Sequence, residues 1–174
     1  TLKGAGGTLN LSTVNVSSAV STLTAISSLG EGVRVFDASD TIGRTLVGSS
    51  DNDTLSGFGG DDIFQMGGGR DTLSGGDGND TFQIAAASDI TSGINLSGGA
   101  GTDTLSLTST SISSLVFPFN DVSFATLENF DLSGGAASGV SVTLVGERVG
   151  SISQFLGDGT TDAINVFADS FDAR

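Results

Sequence analysis

Four aspartates recur at intervals of nine residues and mark the part of this chain whose spacing could support chemistry. Asp62, Asp71 and Asp80 each end a glycine-rich loop, Asp53 ends a related loop with a single glycine, and Asp103 ends a similar glycine-rich loop after an insertion. Glycine has no Cβ, so such a loop can curl tightly and turn its carbonyl oxygens inward. Calcium accepts about six to eight oxygen ligands in a tolerant geometry, and carboxylates add the charge that carbonyls lack. The spacing therefore predicts a series of calcium sites.

The loops belong to a nine-residue repeat. Its rows are GSSDNDTLS (48–56), GFGGDDIFQ (57–65), MGGGRDTLS (66–74) and GGDGNDTFQ (75–83), and a fifth row, GGAGTDTLS (98–106), follows an insertion. A large apolar residue stands two places after every aspartate: Leu55, Phe64, Leu73, Phe82 and Leu105. The alternative, a flexible glycine-rich linker, does not require a large hydrophobic residue at a fixed phase. The pattern therefore favours a folded repeat.

The second half of each row supplies the element that positions the loop. Thr-Leu-Ser and Thr-Phe-Gln alternate polar, apolar and polar residues, as in a short strand with one buried face. If two rows make one coil, loops lie on alternate sides and each cation lies between loops two rows apart. This geometry pairs Asp53 with Asp71, and Asp62 with Asp80. Successive coils are expected to stack at about the 4.8 Å spacing of paired strands.

The rows resemble the nonapeptide G-G-x-G-x-D-x-U-x of the RTX family of secreted proteins, in which U is a large apolar residue. The rows at 75 and 98 match every fixed position, whereas Asp51, Phe58 and Met66 stand where glycines are expected. Those three substitutions predict altered loop geometry in their rows. The resemblance implies a parallel β-roll with calcium bound in its turns.

The candidate calcium ligands are loop aspartates and glycines whose carbonyl oxygens would face the ion. They are Asp51, Asp53, Asp62, Asp71, Asp77, Asp80, Asp103, Gly57, Gly60, Gly67, Gly69, Gly75, Gly78, Gly99 and Gly101. For some aspartates a solvated loop position is the alternative: Asp37, Asp40, Asp51, Asp61 and Asp77. Crowded carboxylates repel one another, so folding is expected to depend on calcium.

The whole chain, 1–174, is predicted to be one all-β domain, a right-handed parallel β-solenoid. Residues 1–47 alternate as strands, apart from a short helix predicted at 17–29 because Val20, Leu23, Ile26 and Leu29 follow a helical spacing. Residues 48–83 form the repeat block. Residues 84–174 form a less regular solenoid with an insertion near 107–123. A degenerate row at 157–165 keeps Asp162 and Ile164 in the expected columns.

Composition excludes several classes of function. With 20 acidic against 6 basic residues, the chain is not suited to nucleic acid, and it contains no apolar run long enough for a membrane helix. Histidine is absent, which excludes a His-dependent triad, and Glu31, Glu128 and Glu147 form no motif. We therefore expect no enzyme active site. Tryptophan and tyrosine, the usual aromatic residues of carbohydrate sites, are absent, and without cysteine no disulfide or thiol chemistry is available.

Two functional hypotheses follow. The first is a secreted structural protein, at the cell surface or outside the cell, whose copies stack head to tail into a layer, filament or matrix. Segments such as VFDASD and LENFDLSGG resemble parts of RTX-containing S-layer proteins and adhesins. A cell-surface polysaccharide is a second candidate partner. The alternative is a calcium-dependent folding and export module of a larger type I secreted enzyme or adhesin. RTX export typically uses an uncleaved C-terminal signal, for which residues 164–174 are the candidate.

Overall fold

The computed structural model describes residues 2–5, 7–10, 21–26, 33–36, 41–90, 93–117, 123–135, 139–145, 152–159 and 162–167. Within these ranges the chain forms strands and one short 3₁₀ helix, Ala87–Asp89. The strands are β1 (Leu2–Ala5), β2 (Gly7–Asn10), β3 (Thr22–Ile26), β4 (Val33–Phe36), β5 (Thr45–Val47), β6 (Thr54–Gly59), β7 (Ile63–Gln65), β8 (Thr72–Asp77), β9 (Thr81–Ile84), β10 (Asn95–Ala100), β11 (Thr104–Leu107), β12 (Ser114–Val116), β13 (Ser123–Ala125), β14 (Asn129–Asp131), β15 (Ser141–Val145), β16 (Gln154–Leu156) and β17 (Ala163–Phe167).

The strands form three sheets in which the neighbouring strands are parallel. One sheet has the order β1-β3-β5-β7-β9-β11-β14-β16, and a second has the order β13-β10-β8-β6-β4-β2. Over most of its length the chain therefore alternates between two sheets, adding one strand to each sheet per coil. The third sheet, β12-β15-β17, is built from later segments. The predicted parallel β-roll is confirmed.

One coil contains two rows of the repeat. Thr54 pairs with Thr72 in one sheet, and Ile63 pairs with Thr81 in the other, so each coil spans 18 residues. This spacing matches the prediction that loops two rows apart lie next to each other. Strands of successive coils are held in register by backbone hydrogen bonds in both sheets. The turns that connect the two sheets in successive coils therefore stack as well.

The apolar residue of each row lies in the interior between the two sheets. Leu55, Phe64, Leu73 and Phe82 are each at most 1% exposed, as the alternation predicts. The rings of Phe64 and Phe82 stack at a centroid distance of 4.8 Å, which equals the spacing of adjacent strands. Identical positions in successive coils thus touch directly. This stack of apolar side chains helps to fix the register of successive coils, and with it the position of the turns that connect the two sheets.

The fifth row is stacked on the repeat block rather than set apart from it. Leu96 of β10 pairs with Leu73, and Leu105 of β11 pairs with Phe82, so this coil spans 23 residues instead of 18. The additional residues lie between β9 and β10 and include the 3₁₀ helix. The insertion therefore lengthens a turn without shifting the strands.

The short helix predicted at 17–29 is wrong where the structure describes it. Thr22–Ile26 is strand β3, which pairs with β1 on one side and β5 on the other. Threonine and isoleucine are β-branched and favour extended backbone, and pairing on both edges outweighs the helical spacing. Residues 17–20 and 27–29 lie outside the described residues.

The insertion near 107–123 contributes a strand of its own. Ser114–Val116 forms β12, an outer strand of the third sheet, before β13 rejoins the second sheet. Ile164 of the degenerate row pairs with Val142 in this third sheet, whereas the strands of the repeat block lie in the other two sheets. The single proline of the chain, Pro118, belongs to the same insertion but lies outside the described residues.

Candidate metal centre

The turns that connect the two sheets form two stacks, one on each side of the roll. The first turn column contains the turns 57–62, 75–80 and 98–103. The second turn column contains the turns 48–53 and 66–71. Each turn carries the glycines and the aspartate of one row, so strand pairing brings equivalent loop residues together.

In each predicted aspartate pair, the backbone amide of one residue donates a hydrogen bond to the side-chain carboxylate of the other. The amide of Asp62 donates to Oδ1 of Asp80 at 2.8 Å, and the amide of Asp53 donates to Oδ1 of Asp71 at 2.9 Å. The amide of Asp80 donates in the same way to Oδ1 of Asp103 at 2.8 Å. Each carboxylate thus bonds the preceding coil with one oxygen.

The second carboxylate oxygen is available for another partner. Oδ2 of Asp71, Asp80 and Asp103 is buried and accepts no hydrogen bond within the described part of the chain. These side chains are at most 1% exposed. A buried anionic oxygen without a partner is costly, so such an atom indicates the place of a ligand.

In the first turn column, a carbonyl oxygen of the next turn lies beside the carboxylates of Asp62 and Asp80. A Cβ added at Gly75 would overlap Oδ2 of Asp80 and meet the carbonyl oxygen of Gly98 at 2.5 Å. At Gly57 the corresponding contacts are Oδ2 of Asp62 and, at 2.9 Å, the carbonyl oxygen of Gly75. The first glycine of the row is therefore required because the oxygens converge there. Carboxylate and carbonyl oxygens are the ligands that calcium prefers, so the turns fit calcium.

Glycines at the second and fourth positions of a row have left-handed backbone. Gly76 and Gly78 have φ of 122° and 134°, and Gly99 and Gly101 have φ of 124° and 136°. Phe58, at the second position of its row, keeps this conformation with φ of 68°, so the loop geometry survives the missing glycine at the expense of backbone strain.

The turn 48–53 departs from the others, as its substitutions predict. Neither Ser49 nor Asp51, at the second and fourth positions, has positive φ. Instead the amide and hydroxyl of Ser49 donate to the carboxylate of Asp53, the amide at 2.5 Å and the hydroxyl at 3.0 Å to Oδ2. The carboxylate oxygen that accepts no hydrogen bond at Asp71, Asp80 and Asp103, within the described residues, is thus already bonded in this turn.

The remaining candidate ligands are three loop glycines and two aspartates. Gly60, Gly67 and Gly69 have left-handed backbone, and an added Cβ at any of them would strike backbone of the preceding coil. The side chain of Asp77 is exposed, while its carbonyl oxygen accepts the amide of Gly60 at 2.9 Å. Asp51 is half-buried.

Asp61 stabilises the stack without joining the buried column. Its Oδ1 accepts the amide of Asn79 at 2.7 Å, and Oδ1 of Asn79 accepts the amide of Thr102 at 2.9 Å. This exposed ladder runs in the opposite direction to that of the buried aspartates. Asp37 and Asp40 lie outside the described residues.

Electrostatics favour a bound cation in the turns. Burial raises the pKa of Asp71 to about 7 and that of Asp80 to about 6, while the amide hydrogen bonds from Asp53 and Asp62 oppose the shift. Nearby carboxylates add to it, Asp53 and Asp89 for Asp71, and Asp103 and Asp61 for Asp80. Burial also raises the pKa of Asp103. A cation would remove the cost that these raised pKa values express.

Sequence reasoning missed Glu128, which extends the aspartate ladder. Its Oε2 accepts the amide of Asp103 at 2.8 Å, the role that Asp103 plays for Asp80. A signal was present, because Phe130 follows Glu128 by the same two places that separate aspartate from apolar residue in the repeats. The repeat motif specifies aspartate at this position, so a search for the motif does not find a glutamate there.

Asp89 was also missed, and Asp162 of the degenerate row accepts a backbone amide beside the third sheet. The buried carboxylate of Asp89 accepts the amides of Ala85 and Ala86, at 2.8 and 2.9 Å, and shapes the inserted turn. Oδ1 of Asp162 accepts the amide of Val140 at 2.9 Å. The described residues contain no cluster of three or more Asp, Glu, His or Cys side chains that could hold a metal ion. Carbonyl oxygens are therefore needed beside the carboxylates.

The fold and the turns define a parallel β-roll with cation-binding loops. Residues 45–73 and 67–83 match the RTX calcium-binding nonapeptide repeat (4 copies), which confirms the resemblance and identifies this segment as RTX repeats. Such repeats bind calcium and are typical of secreted proteins. No curated protein and no solved structure was found to be similar to the chain. None of the helical structure in the described residues is long and apolar enough to cross a membrane.

Proposed function

We propose that the chain is a secreted structural protein that calcium stabilises and that assembles end to end into an extracellular layer, filament or matrix. The calcium chemistry is supported by the stacked turns. Their buried carboxylates face amides and carbonyl oxygens, an arrangement that holds coils together rather than one that presents a reactive group to a substrate. The proposed role is therefore structural rather than catalytic.

The edge strand β16 carries the assembly part of the proposal. It is the last strand of the eight-stranded sheet, pairs with β14 on one edge, and has no strand on its other edge within the described residues. Phe155 and Leu156 are each 37% exposed on it. An exposed apolar edge strand is a template for another strand.

The opposite end of the same sheet is strand β1. Because neighbouring strands are parallel, a second copy can extend the sheet by placing its β1 against β16 of the first. A head-to-tail contact of this kind uses two different surfaces and does not close, so it generates filaments. A cell-surface polysaccharide is a second candidate partner.

A calcium titration tests the proposal. We expect calcium to increase the β-content by circular dichroism, and then to produce filaments or sheets visible by electron microscopy. Chelation should reverse both changes. Unchanged β-content and no bound ion would contradict the calcium role, whereas calcium-bound chains that stay monomeric would favour a folding and export module of a larger secreted protein.

A further inference from the structure

The first turn column continues past the repeats into the segment Ala125–Glu128. This segment lies outside the matched residues 45–83 and contains no glycine. Thr126 nevertheless adopts left-handed backbone with φ of 53°, and its Oγ1 accepts the amide of Gly99 at 2.7 Å. Glu128 takes the aspartate position of the ladder. The segment therefore reproduces a repeat turn with a different sequence.

Two oxygens converge between this segment and the turn 98–103. A Cβ added at Gly98 would overlap both Oδ2 of Asp103 and the carbonyl oxygen of Thr126. The arrangement is the one found at Gly75. Oδ2 of Asp103 is buried and accepts no hydrogen bond within the described residues, and the side chain is 0% exposed.

We propose that Asp103 and the carbonyl oxygen of Thr126 form a further calcium site, with the carboxylate of Glu128 adding negative charge beside it. The site rests on the calcium chemistry proposed above. Its carboxylate belongs to the fifth row, 98–106, whereas its carbonyl oxygen lies in a turn that no repeat motif marks. Oxygen ligands of both kinds suit a hard divalent cation.

This site is linked to the edge strand. The carbonyl oxygen of Glu128 accepts the amides of Ser153 and Gln154, at 2.8 and 3.0 Å, where β16 begins. Calcium at Asp103 therefore fixes the turn on which β16 is built. The assembly edge is expected to form only when this site is filled.

Counting bound ions in the full chain by native mass spectrometry tests the site. Asp103→Asn retains an oxygen that can accept the amide of Asp80 and replaces the other with a nitrogen, so we expect one calcium fewer than in the wild type. Combining it with Asp80→Asn should remove two ions. Glu128→Gln should raise the dissociation constant of one calcium ion about tenfold or more, since it removes a nearby negative charge. Asp131→Asn, on neighbouring β14, is the control and should retain every ion.

Hydrogen exchange supplies a readout that ion counting does not. Calcium should slow exchange of the Ser153 and Gln154 amides in the wild type but not in Asp103→Asn. An Asp103→Asn chain that binds as many ions as the wild type, or a double variant that loses only one, would overturn this inference alone. A wild type that binds no calcium would overturn the proposed function with it.

Discussion

The amide of Asp80 donates to Oδ1 of Asp103 at 2.8 Å across 23 residues of sequence, while Oδ2 of both side chains is buried and has no hydrogen-bond donor among the residues that the structure describes. Each aspartate thus has two separate tasks. One oxygen joins its turn to the preceding coil, and the other is, in the function proposed above, a ligand for calcium between its own turn and the next. On that proposal asparagine could perform the first task but not the second.

Asp80→Asn should therefore separate calcium binding from coil stacking. We expect the calcium concentration at half-maximal folding, measured by circular dichroism, to rise about tenfold or more, because one anionic ligand is lost and the amide acceptor remains. Asp77→Asn changes the same charge on an exposed side chain of the same turn and should shift the midpoint less than about twofold. Equal shifts would mean that the buried column does not bind the ion.

The raised pKa values predict an inverted pH dependence in the absence of calcium. Burial raises the pKa of Asp71 to about 7 and of Asp80 to about 6, so the folded chain holds more protons than the unfolded chain between about pH 4 and pH 7. The free energy of unfolding should fall as pH rises through this window. Urea denaturation in chelator at about pH 5 and pH 8 measures it.

Calcium should reverse that trend, because it replaces the protons. Binding at about pH 6 should release protons, detectable by calorimetry in buffers of different ionisation enthalpy, and release should be smaller at about pH 8. A calcium-free chain that becomes more stable with rising pH would show that the turn carboxylates are already charged and compensated.

Much of the roll could be predicted from the repeat because two periodicities coincide. The nine-residue spacing of Asp62 and Asp80, and the two-residue offset to Phe64 and Phe82, fix coil length, turn position and core together. The pairing of Asp62 with Asp80 follows directly from this spacing. In a regularly stacked solenoid each repeat contacts only its neighbouring repeats, so the spacing of residues along the sequence also predicts which residues touch.

The predictions from sequence failed where tertiary contacts outweigh the local sequence pattern. The Thr22–Ile26 segment has helical spacing but is held as a strand by β1 and β5. Glu128 and Thr126 form a repeat-like turn without its glycines, since hydrogen bonds from the preceding coil impose the conformation. Asp53 matches the motif, yet Ser49 bonds its carboxylate. A motif specifies the residues of one row but not those of the row against which it packs.

The first glycine of a row can be tested by steric blocking. Gly75→Ala would place a methyl group against Oδ2 of Asp80 and the carbonyl oxygen of Gly98, and we expect a loss of about 1–3 kcal/mol of stability together with weaker calcium binding. Gly68→Ala is the matched control, since its Cβ would meet nothing closer than 3.7 Å. Its stability should change by less than about 0.5 kcal/mol. Calcium-dependent urea denaturation compares them.

Phe58→Gly should stabilise the roll, although it removes a large side chain. The aromatic ring is 42% exposed and its residue has φ of 68°, a conformation that costs about 1–2 kcal/mol for a residue with a Cβ. Glycine relieves that strain but adds freedom to the unfolded chain, so we expect a net gain of about 0.5–1 kcal/mol. Phe58→Ala retains the strain and should give no gain. A loss of stability in Phe58→Gly would show that the ring makes a necessary contact.

Charging the edge strand should prevent assembly while leaving the roll intact. Phe155→Lys and Leu156→Lys each place a cation on β16, where an incoming strand would bury it, so calcium-induced filaments should disappear in electron micrographs. Ile63→Lys is the matched control, because Ile63 is also 37% exposed but lies on β7, which is paired on both edges. The calcium-dependent circular dichroism signal should be preserved in all three. Filaments that persist in both β16 variants and are lost in Ile63→Lys would place the contact on the face of the sheet rather than at its edge.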